Sequence, residues 1–337
     1  MQILNKETSI PFLSWRLIAA VLSVGLIAWS ISSLMTRGLV LGIDFTGGTL
    51  VELQYQSTIE ISDVRQTLAE VGYGDSVVQY FGTARDVMVR VPLSGDTQDA
   101  EFSTRLVEAL RLPYSETGLS STDSTGRQQC SANGSIAVCE VQLQRVEFVG
   151  PQFGAELLDK GLSALMWALG GILIYVMFRF EWRFALGSVV ALIHDVLITL
   201  GFFSISGIEF SLPVLAALLA VIGYSLNDTI VVFDRIRENF RTLLEATTEQ
   251  VIERAINQTL PRTILTSVTT MLVLLSLYFY GGEVLAGFSL AMIVGVIIGT
   301  YSSVFIASPA VYTLGVSRED LLPPEKDDKT LEGELLP

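Results

Sequence analysis

Histidine, cysteine and charged residues are scarce in this chain. Among its 337 residues there are one histidine and two cysteines, and only 17% of the residues are charged. No group of histidines and cysteines has the spacing of a metal site, and no nucleophile and base pair is visible. The segment "FTGG" also lacks the lysine and the spacing of a phosphate-binding Walker motif. We therefore expect neither an enzyme nor a metal or organic cofactor.

Basic residues are outnumbered as well. The chain has 21 Lys and Arg against 35 Asp and Glu, which gives a formal net charge of -14. Nucleic acids are bound by basic surfaces, so this balance excludes nucleic acid as a partner. Much of the acid lies in residues 36–160 and in the tail after Val316, where a solvated surface is its simplest interpretation.

Hydrophobic residues make up 50% of the chain, which is typical of a membrane protein. Six apolar runs approach the roughly 20 residues that a helix needs to cross a bilayer. We predict transmembrane helix 1 at residues 17–35, with no cleavage site after it, and helices 2 to 6 within residues 161–314. A cytoplasmic N-terminus (1–16), an extracytoplasmic domain (36–160) and an acidic cytoplasmic tail (315–337) complete the organisation. The five later runs lie near residues 162–178, 184–204, 211–233, 263–281 and 284–314.

The distribution of arginine predicts the orientation in the membrane. Arginines stand before helix 1, between helices 2 and 3, and between helices 4 and 5, whereas the loops "SISGIEFS" and "YGGEVLAG" contain no lysine or arginine. Short loops rich in basic residues remain in the cytoplasm. We therefore expect both termini in the cytoplasm and the domain at residues 36–160 on the opposite side.

The domain between helices 1 and 2 has the pattern of a ferredoxin-like fold. Alternating segments such as "TLVELQY" predict strands, and "EISDVRQTLAEVG" and "DAEFSTRLVEALRL" have the apolar spacing of helices. Their order is βαββαβ, which makes this an α+β domain. We expect residues 113–135, rich in Ser, Thr and Gly, to form a mobile insertion. The segment "AVCEVQLQRVEFVG" that follows predicts one long final strand.

Both cysteines, Cys130 and Cys139, lie in this domain. An oxidising compartment would permit a bridge between them across the turn-prone "SANGS". A local structural disulfide is our interpretation, with free thiols as the alternative. A catalytic dithiol would need a helix start to lower the thiol pKa, and none is evident.

Polar residues inside the predicted membrane helices are the candidates for function. The carboxylate of Asp228 on helix 4 and the guanidinium of Arg262 at the start of helix 5 form our candidate proton relay. A carboxylate in the membrane costs at least ~2.5 kcal/mol, so it pairs, meets water or is protonated. Burial favours the neutral acid and a nearby arginine favours the charged one, so such a group exchanges protons. A static buried salt bridge, or an Asn/Asp packing contact, is the alternative.

Four further polar residues have either a relay or a packing role. His194 and Asp195 lie about ten residues into helix 3, and Asn227 precedes the helix 4 acid. Because His194 and Asp195 are adjacent on a helix, we expect them to point about 100° apart and not at each other. We interpret Asp234, where helix 4 leaves the membrane, as part of an interfacial charge cluster.

These segments together resemble a known family. "LGIDFTGGT", "FVGP", "ALIHDV", "VIGYSLNDTIVVFDRIREN" and "LPRTILTSVTT" closely resemble the SecF family of bacterial SecDF protein-export complexes, a branch of the resistance-nodulation-division superfamily. The resemblance implies a multi-pass protein of the bacterial cytoplasmic (inner) membrane with a periplasmic domain. It also implies use of the proton-motive force in late steps of export, with Asp228 and Arg262 in the proton pathway. The insertion that carries the cysteines is not part of the family pattern.

The same resemblance implies a set of partners. These are SecD as heterodimer partner, the SecYEG channel, YajC, the SecA ATPase functionally, and the translocating unfolded polypeptide. Glycines in the stem, chiefly Gly47 and Gly48, would act as hinges that pass motion to the domain, although ordinary turns also explain them. A half-size exporter of lipids or small molecules and a passive scaffold of the translocon remain the alternative functions.

Overall fold

The computed structural model describes residues 9–81, 83–92, 102–122, 127–132 and 135–321. The first eight residues and the acidic tail from position 322 onward lie outside these ranges. The helices are, in chain order, α1 (Arg16–Thr36), α2 (Ile43–Thr46), α3 (Ile61–Glu70), α4 (Phe102–Arg111), α5 (Pro151–Arg179), α6 (Trp182–Ser206), α7 (Leu212–Thr242), α8 (Thr248–Tyr280), α9 (Glu283–Ser302) and α10 (Ser308–Thr313). The strands are β1 (Gly48–Tyr55), β2 (Val77–Phe81), β3 (Thr83–Pro92), β4 (Glu116–Thr122), β5 (Gln128–Ala132), β6 (Ser135–Val138) and β7 (Val141–Val149).

Six helical spans among the described residues are long and apolar enough to cross a membrane, which confirms the six predicted ones. Helices α7 and α8 extend past the apolar runs into the polar loop between them. A capping box at Thr247 begins α8, where the Thr247 hydroxyl accepts from the Gln250 backbone N–H. The spans are Leu13–Thr36, Gln152–Arg179, Trp182–Ser206, Leu212–Thr242, Thr248–Tyr280 and Leu285–Thr313.

The central helices of the bundle are largely buried, whereas the outer helices are mostly exposed in the single chain. In α6 and α7, 61% and 56% of the apolar window is buried, compared with 6% in α5 and 11% in α8. Small residues bring the central helices together: a methyl group added at Gly201 on α6 would lie 2.2 Å from the Ser30 Cβ on α1, and one at Gly295 on α9 would lie 2.1 Å from Val221 on α7. In lipid there is no hydrophobic effect between helices, so van der Waals packing holds them together, and small residues allow the close approach that this packing needs.

The last membrane span is interrupted by a π-helical turn. Helix α9 ends at Ser302, a π turn covers Ser303–Ala307, and α10 continues to Thr313. A π turn holds one more residue than an α turn and is frequent at functional sites. Two adjacent serines, Ser302 and Ser303, stand at its start.

The extramembrane domain confirms the predicted ferredoxin-like pattern. Four antiparallel strands form a sheet in the order β2-β3-β1-β7, with Val51 of β1 opposite Val89 of β3 and Val146 of β7. Inward-facing valines and leucines of the sheet pack against Leu68 of α3 and Leu106 of α4. The elements β1, α3, β2, β3, α4 and β7 follow one another in the βαββαβ order.

The segment at residues 113–135, which we expected to be a mobile insertion, contains regular strands that the sequence analysis did not predict. Strands β4, β5 and β6 form a second, three-stranded antiparallel sheet. Sequence patterning missed it because these strands are held by backbone hydrogen bonds and contain few alternating apolar residues. The prediction of a single final strand was wrong. The strand has a break at Cys139 and Glu140, where the chain passes from β6 of one sheet to β7 of the other.

A disulfide between Cys130 and Cys139 lies at that break. The Cys139 N–H donates to the Gln128 carbonyl, and the buried Arg111 guanidinium donates to the Val141 carbonyl at 2.8 Å and 3.0 Å. Burial lowers the pKa of Arg111, while the charge of Glu116 acts in the opposite direction. The same guanidinium donates to the Gln128 side chain at 2.6 Å, so Arg111 joins β5 of the second sheet to β7 of the first.

Candidate functional site

A cluster of polar side chains around Asp195 lies in the centre of the helix bundle. Asp195 on α6 is 1% exposed. Its Oδ2 accepts hydrogen bonds from the Ser225 hydroxyl on α7 at 2.6 Å and from the Ser302 hydroxyl on α9 at 2.8 Å. One carboxylate therefore joins three membrane helices.

His194 extends this cluster to α1. Its Nδ1 lies 2.9 Å from Asp195 Oδ1 and its Nε2 lies 3.2 Å from the Ser23 hydroxyl. The ring stacks on Tyr301, whose hydroxyl donates to the Ala19 carbonyl at 3.0 Å. The prediction that His194 and Asp195 do not point at each other was wrong, because the imidazole and the carboxylate are in direct contact.

Asp228 forms a second cluster on α7. This residue is 8% exposed. Its Oδ1 accepts from the Thr263 hydroxyl on α8 at 2.6 Å, and its Oδ2 accepts from the Ser303 hydroxyl at 2.8 Å. Because Ser302 binds Asp195 and Ser303 binds Asp228, two neighbouring residues at the π turn connect both buried acids.

Arg262 is placed beside this cluster and not in it. Its side chain is exposed on α8, and within the described residues it forms no ion pair with Asp228. Further along α8, Ser267 Oγ lies 2.7 Å from Thr300 Oγ1 on α9 and 3.3 Å from the Tyr224 hydroxyl on α7.

The other two candidate residues on α7, Asn227 and Asp234, lie outside both buried clusters. Asn227 is exposed on the helix surface. Asp234 pairs with Arg179 at 3.4 Å, and the two side chains are 46% and 49% exposed. A pair so exposed contributes little to stability, which is consistent with a charge at the end of the helix bundle.

At the same end, the segment after α10 is tied back to the bundle. The Arg183 guanidinium donates to the Asp320 carboxylate, and Ser317 donates to it through its backbone N–H at 2.9 Å and its hydroxyl at 2.8 Å. These contacts lower the pKa of Asp320 to about 2, with the Arg183 hydrogen bond as the largest cause.

The two stem glycines are placed by backbone geometry. Gly47 has φ of 74° and ends α2, and Gly48 has φ of 149° as β1 begins. A Cβ at Gly48 would lie 2.8 Å from the Val91 carbonyl oxygen. Both positions therefore require glycine in this conformation, and their role as hinges stays a prediction.

Among the described residues, Glu116, Cys130 and Cys139 form one group close enough to hold a metal ion. Both sulfurs are joined in the disulfide, so neither is available as a thiolate ligand. This group is structural.

The sequence indicated the acids but missed most of their partners. Ser225, Ser302 and Ser303 were not identified as site residues from the sequence.

The fold and these clusters define a class of protein: a multi-pass membrane protein with a ferredoxin-like domain between its first two membrane helices and buried acids at its helix crossings. Comparison with known families identifies the class further. Residues 130–317 match the family described as protein export membrane protein SecD/SecF, C-terminal, and residues 32–59 match the SecD/SecF GG motif.

Characterised relatives give the same answer. The chain is 42% identical over 336 residues to the protein translocase subunit SecF of Vibrio alginolyticus, covering 100% of this chain and 99% of the relative. It is 45% identical over 323 residues to SecF of Pseudomonas aeruginosa, covering 96% and 97%. The crystal structure of SecDF, a translocon-associated membrane protein from Thermus thermophilus, superposes with a TM-score of 0.74 at 35% identity, covering 93% of this chain and 39% of that one.

This chain belongs to the SecF family of protein translocase subunits. The relatives are named for a role in transport and not for an enzymatic one. The interpretation of the sequence as a SecF-like membrane protein of the export machinery is confirmed.

Proposed function

We propose that this chain uses the proton-motive force to assist late steps of protein export, and that Asp228 takes up and releases the proton. The environment of Asp228 is the observation that supports this. The carboxyl group is buried between membrane helices, and its two hydrogen-bond partners are hydroxyls. A hydroxyl donates to an ionised carboxylate and accepts from a protonated one, so the same contacts serve both states. A contacting arginine would instead favour the ionised state alone.

The surface beside Asp228 supports SecD as the partner. The polar side chains of Asn227 and Arg262 are exposed in the single chain, on two helices that are long and apolar enough to cross a membrane. Uncompensated polar groups in lipid are costly, so they face a protein partner or water. We propose that SecD covers this face of α7 and α8 and supplies a second acid opposite Arg262.

The orientation of the chain in the membrane follows from the distribution of charged residues. Arg179, Arg183 and Asp234 mark one end of the bundle, and the extramembrane domain lies at the other. We propose that the first end and both termini are cytoplasmic and that the domain is periplasmic, in the bacterial cytoplasmic membrane. There the chain would act beside the SecYEG channel with YajC, after the SecA ATPase, on an unfolded translocating polypeptide.

Export of a secreted precursor into inverted vesicles tests the proposal. Vesicles contain the chain with SecD, and export is measured with and without a proton gradient. We expect Asp228→Asn and Arg262→Met each to abolish the gradient-dependent component while SecD still co-purifies. Asp234→Asn is the matched control, since it removes an exposed acid from the same helix and should leave export unchanged.

Unchanged gradient-dependent export in Asp228→Asn would refute the proton role. The chain would then act as a scaffold that stabilises its partners. Loss of SecD co-purification in the variant would instead show that the carboxyl group is needed for assembly.

A further inference from the structure

The loop between α6 and α7, residues 207–211, is where the extramembrane domain meets the bundle. The Phe210 N–H donates to the Val40 carbonyl at 2.7 Å, and the Gly42 N–H donates to the Phe210 carbonyl at 2.9 Å. The Phe210 ring is buried and stacks on Phe45 of α2, with ring centroids 5.9 Å apart. The segment that enters the domain is therefore bound to the loop that begins α7.

Asp44 binds the first turn of α7 itself. Its Oδ2 accepts from the Leu212 backbone N–H at 2.8 Å. A carboxylate at this position satisfies a free N–H and interacts favourably with the positive end of the helix dipole. The same helix carries Asp228 sixteen residues further on, which is about 24 Å along its axis at 1.5 Å per residue. A residue of the domain's stem thus holds one end of the helix on which the proposed proton site lies.

An ion pair joins the loop to the domain's sheet. Arg90 on β3 pairs with Glu209, and the two side chains are 17% and 22% exposed. A Cβ at Gly42 would lie 2.5 Å from Glu209 Oε1, so glycine at this position makes room for the carboxylate. At this degree of burial the pair is shielded from bulk water, and it holds its partners more firmly than a surface pair does.

The two partners of the ion pair lie on opposite sides of the stem glycines, with Arg90 on the sheet and Glu209 in the loop before α7. Gly47 follows α2 and Gly48 begins β1, and β1 pairs with β3, which carries Arg90. Rotation about the glycines would move β3 away from the loop and break the contact with Glu209. With the pair formed, the sheet and the start of α7 move together.

We propose that Arg90 and Glu209, together with Asp44, are positioning residues that couple α7 to the extramembrane domain. A displacement of α7 that accompanies protonation of Asp228 is passed to the sheet through this contact. The inference rests on the proposed function, and it names the residues that transmit the motion.

Charge exchange tests the ion pair. In the vesicle assay we expect Arg90→Glu and Glu209→Arg each to reduce gradient-dependent export at least fivefold, with gradient-independent export and SecD co-purification unchanged. The double variant with exchanged charges should return to within twofold of the original protein. Arg85→Glu is the matched control, because it reverses an exposed arginine on the same strand.

A distance measurement gives a result that does not depend on export. Spin labels at Gln66→Cys on α3 and Tyr280→Cys at the end of α8 report the separation of domain and bundle in the full chain. We expect a broader distance distribution in each single charge variant and a narrow one in the exchanged variant. Equal widths in all of them would overturn the coupling.

The assay also separates this inference from the proposed function. If Asp228→Asn loses gradient-dependent export while both charge reversals retain it, the coupling is wrong and the proton role stands. If Asp228→Asn retains it, the proton role fails, and the distance distributions alone decide whether the pair holds the domain. Single variants that fail without rescue by the exchanged pair would show that the two residues act separately, which also refutes the proposal.

Discussion

Removal of the Ser302 hydroxyl is expected to destabilise the helix bundle measurably. This hydroxyl is fully buried and donates to Asp195 Oδ2 at 2.8 Å. Ser302→Ala leaves that oxygen with one donor, Ser225. The variant therefore removes one hydrogen bond without leaving the carboxylate oxygen bare.

The size of the effect follows from the partner. A hydrogen bond to a charged group contributes about 1.5–3 kcal/mol in water-soluble proteins, whereas interhelical hydrogen bonds in a membrane average about 0.6 kcal/mol and reach about 1.7. Because Ser225 still donates to the same oxygen, we expect the loss to be about 1 to 1.5 kcal/mol.

Ser289→Ala is the control on the same helix. Ser289 is also fully buried, but within the described part of the chain its hydroxyl has no hydrogen-bond partner. Removal of an unsatisfied polar group should be neutral or stabilising. The free energy of unfolding in mixed micelles, from detergent titration followed by circular dichroism, compares the two variants. Equal free energies would refute the argument that the Asp195 cluster stabilises the bundle.

Three further predictions concern other parts of the molecule. Replacing Cys130 and Cys139 together by serine opens a short loop and should lower the stability of the extramembrane domain by about 2–3 kcal/mol, seen as faster proteolysis of the domain; an unchanged rate would contradict it. Gly201→Ala should separate α1 from α6 and lower the free energy of unfolding by more than about 2 kcal/mol in the detergent titration. Gly170→Ala is the control and should be neutral, because the space around Gly170 is open. The pKa of Asp320 is about 2, below its ordinary value, so its contribution to stability is present above about pH 4 and lost as the pH falls through 2; an NMR titration of its carboxyl group with a midpoint near 4 would exclude this.

Much of the fold could be predicted because its signals are local. The apolar runs needed only length and composition, and the βαββαβ order followed from periods of two and 3.6 residues. The second sheet escaped because β4 to β6 contain mostly Ser, Thr, Gln and Gly, whose pairing depends on backbone hydrogen bonds and on Cys130 meeting Cys139. No local pattern reports those contacts.

The site was predictable in part for the same reason. A carboxylate in an apolar run, such as Asp228, is conspicuous in any sequence. Its hydroxyl partners are common residues in membrane helices, and they acquire meaning only when helices cross. The contact between Arg90 and Glu209 joins residues 119 positions apart and has no signal in the sequence of either segment.

The π turn at Ser303–Ala307 determines which way the side chains of α10 face. The extra residue turns the chain by about 100° relative to an uninterrupted α-helix. With this rotation, Val311 packs against Gly187 on α6, and a Cβ added at Gly187 would lie 2.7 Å from the Val311 side chain. Deletion of a single residue from the turn would restore a regular helix and rotate Val311 out of this contact, while α9 before the turn kept its orientation. Length in this segment is therefore constrained more tightly than side-chain identity, and a one-residue deletion should be harder to accommodate here than in the middle of α5.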